Sequence, residues 1–155
     1  MASSTASAFI VALRMALQAR GGLAGIPVDL VAPADLSLAD RVVLVRAKLE
    51  GTQEYAAIGH LRRNDGYLIP GLIRAIKQTG AAGAQDGDSV FQAAMDRAAA
   101  LLDEVILQLR DAPPAVGNQT ILARVSNVAY LPFPADQGGW AVDCEFEIEY
   151  TARVS

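Results

Sequence analysis

The sequence predicts an α+β domain: a mainly antiparallel sheet flanked by an N-terminal helix and a long central helix. Three patterns predict it. From Trp140 to Tyr150 every even position is apolar (Trp140, Val142, Cys144, Phe146, Ile148, Tyr150), and Ala152 and Val154 continue the row. After Ala141, Asp143, Glu145, Glu147 and Glu149 fill the odd positions, with Thr151 and Arg153 following. Side chains alternate faces along a strand, so this is a strand with one buried face and one wet face. From Ser89 to Arg110 the period changes. Phe91, Ala94, Met95, Ala98, Leu101, Leu102, Val105, Ile106 and Leu109 recur at spacings of three and four, which is the apolar stripe of a helix. Several short alternating runs precede that helix and another follows it, an order that suits a single sheet with helices packed on one face.

In chain order, residues 4–19 read as the first helix. Ser4, Thr5 or Ser7 can cap it, Ala6, Ile10, Leu13 and Leu17 share a face, and Gly21-Gly22 ends it. Val28–Val31 is a short strand ahead of Pro33. Asp40–Glu50 is the next strand, with Val43, Val45, Ala47 and Leu49 on one face and Arg46, Lys48 and Glu50 on the other. Gly51 and Thr52 are expected to turn the chain into a weaker strand, Tyr55–Leu61. Asn64-Asp65-Gly66 reads as a hairpin turn, because these residues tolerate positive φ. The return run, Tyr67–Ile76, contains Pro70 and Gly71, which point to an edge strand or a bulge. A helix starting at Pro70 is the competing reading. Gly80–Gly87 is a small-residue loop, and Asp86 or Asp88 caps the long helix. Pro113-Pro114 stops that helix. Gln119–Leu131 is a strand broken by Leu131-Pro132-Phe133-Pro134, and Asp136–Gly139 leads into the final strand as a long hairpin loop.

The chain has 155 residues and a net charge of −4, which suit one domain over 1–155 with a real core and give no basic grip on nucleic acid. The single cysteine, Cys144, falls on the apolar side of the last strand and reads as a small buried hydrophobe. Ala8–Leu17 is apolar, but no Lys or Arg precedes it and Arg14 interrupts it, unlike a secretory signal. No apolar run reaches the length of a membrane span. The expectation is a soluble protein, intracellular where it is made, with no membrane partner.

Chemistry has little to work with. One histidine, His60, and one cysteine cannot assemble a Cys/His metal cluster, and no phosphate-loop, dinucleotide or nucleophile-elbow motif occurs. A surface or capping role is the default for the lone His60. The most suggestive constellation is the row Asp143, Glu145, Glu147, Glu149. Its members lie about 7 Å apart on one strand face, too far for neighbours to share a metal directly. A solvated face paired across strands with Arg46, Lys48 or Arg124 is weighed above a catalytic pair. No cofactor is expected.

Three stretches carry a resemblance. They are Glu54-Tyr55-Ala56-Ala57-Ile58-Gly59 followed by Arg62-Arg63 and a strand, Met95-Asp96-Arg97-Ala98 through Leu102-Asp103, and the alternating Trp140–Tyr150 strand. With the order of elements they make most of the chain resemble the tail terminator proteins of long non-contractile-tailed (siphovirus-type) phages. The chain departs from that pattern at Pro70-Gly71, where such proteins often have β-branched or aromatic residues. The resemblance implies a sheet flanked by two helices and a homo-oligomeric ring, a hexamer, that caps the finished tail tube. It implies contacts with the tail tube protein and with a head-completion or connector protein, and DNA that passes through without specific binding. It also implies assembly in the host cytoplasm, a place in the virion at the head-proximal end of the tail, and no active site. The acidic row, with Arg46 and Lys48, would then line the channel or a subunit interface. Another head–tail connector or tail-completion protein is the nearest alternative. A small-ligand-binding α+β domain is the alternative from a different class. An open sheet must also manage its edges. Pro70 and the Gly80–Gly87 loop are expected to blunt one side, and the final strand to have few defences beyond its charges.

Overall fold

The computed structural model describes residues 5–32, 39–55, 63–78, 87–112, 120–135 and 138–154. Helix α1 spans Thr5–Gln18, followed by a 3₁₀ turn at Gly21–Leu23. Strands β1 (Val28–Val31), β2 (Arg41–Val45), β3 (Glu50–Tyr55) and β4 (Arg63–Lys77) come next. Helix α2 (Gly87–Asp111) then leads to β5 (Thr120–Pro134) and β6 (Trp140–Val154). The six-stranded sheet runs β1-β2-β4-β6-β5, with β3 also paired to β4. All pairings are antiparallel except β1 with β2. The expected α+β class, the two helices and the final hairpin are all present.

The core lies between the helices and one sheet face. The even residues of β6 from Val142 to Ala152 are buried there against α1 and α2. Helix α1 contributes Ala6, Phe9, Ile10, Leu13 and Leu17, and α2 contributes Ala94, Ala98, Leu101, Leu102, Val105 and Leu109. Val90 is buried as well, whereas Ile106 at the border of the stripe is 36% exposed. Phe9 stacks on Tyr150 with centroids 4.5 Å apart, and Phe91 meets Trp140 edge-on at 5.3 Å. Arg20 ties the end of α1 to α2 through Glu104 and Gln108. Gly22 makes room for that link, since a Cβ there would meet the Glu104 carboxylate.

Several local expectations are corrected. The run Asp40–Glu50 is two strands, because β2 pairs with the far half of β4 (Leu72–Arg74) and β3 with its near half (Arg63–Leu68). The chain crosses between them at residues 46–49. The phase also differs: Val42 and Leu44, not Val43, join the main core. Gly51 does not turn the chain. It sits inside β3 opposite Tyr67, whose ring occupies the space a Cβ would need. Asn64-Asp65-Gly66 is likewise mid-strand, paired with β3 on one side and β6 on the other. Asp65 is fully buried and accepts a hydrogen bond from Thr5 Oγ1 at 3.0 Å, which anchors the first turn of α1. The reversal between β3 and β4 and the expected strand beyond Tyr55 lie outside the described residues. So do most of the Gly80–Gly87 loop, Asp86 and Pro113-Pro114.

Pro70 and Gly71 occupy the central strand without a bulge. Arg46 N donates to Pro70 O at 2.9 Å. A strand residue's N and C=O point the same way, so the Pro70 nitrogen faces the gap between β2 and β3, where no ladder hydrogen bond is missed. Gly71 lies opposite Phe146, whose ring fills the place of its absent side chain. Nor do Pro132 and Pro134 break β5, which continues to Pro134. Strand β5 is at the sheet edge, and Ala135 N donates to Gly139 O at 2.9 Å. Counting back from Ala135, the nitrogens of Pro134 and Pro132 face outward, where proline is tolerated. The final strand is therefore interior, and the edge to be defended belongs to β5.

Cys144 is fully buried on the core face of β6. Burial pushes its thiol up to about 11, although a hydrogen bond with Tyr130 opposes the shift and Glu145 adds to it. At pH 8 almost no thiolate exists to react. A thiol-labelling reagent should therefore modify the native protein negligibly and the denatured protein within minutes. Rapid labelling of the native state would contradict this placement.

Candidate interaction surface

Among the described residues the second face of the sheet carries no helix. On β6 it displays the odd residues, so alternation brings all four candidate carboxylates to one surface. The neighbouring strands decide what each carboxylate meets. Asp143 lies opposite Arg74 of β4 and accepts two hydrogen bonds from it, at 2.7 and 2.8 Å. This fork is the most shielded ion pair on the face, with side chains 14% and 18% exposed. The guanidinium also lies 5.4 Å from the centre of the Phe133 ring. The bond from Asp143 holds the Arg74 pKa above its ordinary value, although burial opposes it.

Farther along β6 the pairs are looser. Glu145 lies 3.9 Å from Arg46, whose Nε donates to Gly71 O at 3.0 Å. Glu147 accepts a 3.5 Å bond from Asn127 Nδ2. Glu149 accepts from Arg124 Nε at 2.6 Å. Lys48 does not join the row; it faces Glu50 at 3.8 Å, and both side chains are largely exposed. Exposed pairs of this kind contribute about 0–1 kcal/mol each. They set the charge pattern of the surface more than its stability.

Arg74, Phe133 and Asn127 are the residues that sequence reading missed. Asn127 has a φ of +50° at a bulge between Ser126 and Ala129. Asparagine accepts that conformation better than most residues, and a Ser-Asn pair inside an apolar run is the signal that could have located the bulge. Arg74 carried none, since its partner is 69 residues away.

Apolar side chains interrupt the charges. Leu68, Leu122 and Leu131 lie opposite Glu149, Thr151 and Asp143 on the same face, and are 36%, 70% and 49% exposed. A shallow hollow of about 510 Å³ runs beside Leu68, between Glu50 and Glu149 and over Gly51 and Gly66. Among the described residues no group of three or more His, Cys, Asp or Glu is placed to hold a metal ion. No helix among them is long and apolar enough to cross a membrane. His60 lies outside them. The arrangement is a mixed surface of ion pairs and exposed leucines.

No family model and no curated protein matches the chain. Among solved structures it is similar to a chain of the virion of a native gene transfer agent (GTA) particle. The identity is 18% and the TM-score 0.46, over 97% of this chain and 99% of that one. At that identity and score the likeness carries no functional weight.

Proposed function

We propose that this chain is a structural virion protein of a phage, a tail terminator that closes the tail tube as a hexameric ring and offers the surface to which the DNA-filled head joins. The observation that carries the reading is the sheet face turned away from the helices, with its row Asp143, Glu145, Glu147, Glu149 set among arginines and exposed leucines. The resemblance in sequence implies a sheet with two helices, and that is the fold found. In this reading the protein catalyses nothing. Its work is done by two ring faces and a subunit interface, with the tail tube protein and a head-completion protein as partners. DNA passes through without specific binding: Arg74 and Arg124, two of the basic side chains that could hold phosphate, are engaged by Asp143 and Glu149.

The acidic row serves either the channel or the interface between subunits, and one experiment separates the two. Mass is measured on the purified protein at low and high concentration, with and without tail tubes, and then on Glu145→Lys/Glu147→Lys. Channel-facing carboxylates predict normal rings with poor DNA delivery. Interface carboxylates predict lost rings, because lysines then stand where a neighbouring subunit meets carboxylates. A monomer at every concentration that also ignores tube ends overturns the terminator reading.

A further inference from the structure

We propose that copies of this chain join edge to edge, the β1 edge of one protomer pairing with the Ala123–Val125 stretch of β5 in the next. The proposal rests on the ring reading above and names the surfaces such a ring uses. Strands β1 and β5 are the two ends of the sheet order, and each is paired on one side only among the described residues.

The backbone of β5 is divided. Pro132 and Pro134 turn their nitrogens outward and offer no N–H, so that half cannot receive a strand. The half before the bulge differs. Pro70 points its backbone groups away from β6, so Glu147 opposite it points its own toward β5, where it faces Ser126. Ser126 and Arg124 therefore bond inward, and Ala123 and Val125 turn their N–H and C=O groups outward. No proline occurs between Thr120 and Ser126. This unblocked length suits a short strand. Strand β1 has four residues. Pro27 O bonds to β2, so Val28 and Leu30 turn outward. Arg14 Nε already donates to Val28 O at 3.1 Å, which leaves the Val28 N–H and both backbone groups of Leu30 for a partner.

The flanks at both ends carry apolar side chains. Beside the open half of β5 a hollow of about 300 Å³ is lined by Ile106, Leu109, Arg110, Ala123, Arg124 and Val125. At the other end Val31 of β1 is 63% exposed, and Val11 and Met15 of α1, the helix packed on β1, are 45% and 65% exposed. Joining the edges sets α1 of one protomer beside α2 of the next, so both layers continue across the contact. The two edges are unlike and lie at opposite ends of the sheet. Their union is heterologous, the kind of contact that repeats in one sense and forms a ring when the rotation between copies closes. A second copy of this chain is thus the occupant that meets both edges.

The test is Ala123→Pro, which deletes one outward N–H and leaves the ladder to β6 intact. Pro132 and Pro134 already occupy equivalent outward positions in the same strand. The expected result is an unchanged far-UV spectrum, a melting temperature within a few degrees of wild type, and at least tenfold weaker assembly by sedimentation, with and without tail tubes. Val31→Lys, at an exposed side chain, should weaken assembly similarly, and it decides the matter if Ala123→Pro fails to fold. Folded variants that assemble at the wild-type concentration overturn the edge pairing and leave the ring reading standing. A wild-type protein that never assembles overturns both.

Discussion

Leu102→Asp should leave no folded protein. Leu102 is 4% exposed on the face of α2 that packs on the sheet, within the same cluster as Leu101, Val105 and Phe146. A carboxylate there has no partner among those apolar neighbours, and burying an unpaired charge costs several kcal/mol. The whole domain is expected to hold only about 5–15 kcal/mol of stability. The cavity left by the leucine adds to the loss. Circular dichroism and thermal melting of the purified variant check it: the cooperative transition should disappear or the protein should be insoluble. A soluble Leu102→Asp protein with a wild-type melting curve would show that this stripe does not face the core. Ile106→Asp is the control, since Ile106 is exposed at the border of the stripe, and it should fold.

The elements that could be read from sequence are those whose periodicity comes from one uninterrupted burial pattern. Strand β6 lies between β4 and β5 with one face on the helices, so its alternation is complete. Helix α2 covers the sheet along most of its length and shows its stripe just as plainly. The middle of the chain could not be read this way. Glycine and proline there act across strands rather than along one: Gly51 yields to Tyr67, Gly71 yields to Phe146, and Pro70 faces a gap. A local reading takes such residues as turns because turns are their commonest use. Asp65 misleads for a similar reason, since its partner Thr5 is 60 residues away. The surface was half legible. Alternation placed the four carboxylates on one face, but the register that pairs Asp143 with Arg74 and Glu149 with Arg124 depends on strands distant in the chain.

Phe146 and Gly71 should behave as a coupled pair. They are directly opposite in the β4–β6 ladder, and a Cβ built on Gly71 would come within 2.4 Å of the Phe146 ring. That ring is fully buried, so it cannot swing into solvent to make room. Gly71→Ala alone should therefore destabilise by about 1–3 kcal/mol through overpacking. This holds even though alanine ordinarily loses less chain entropy than glycine and suits a strand interior better. Phe146→Ala alone should cost about 3–5 kcal/mol, from lost burial and the cavity left beneath α1 and α2. In the double variant the alanine methyl enters vacated space, so its penalty should vanish and its entropy gain emerge. The loss should then be smaller than the sum of the two single losses by about 0.5–3 kcal/mol, the range found for residues in contact. Urea unfolding of the wild type, both single variants and the double variant measures the coupling. Additive losses, or a Gly71→Ala protein as stable as wild type, would mean that the ring does not lie over Gly71 and that proline and glycine in the central strand are accommodated in some other way.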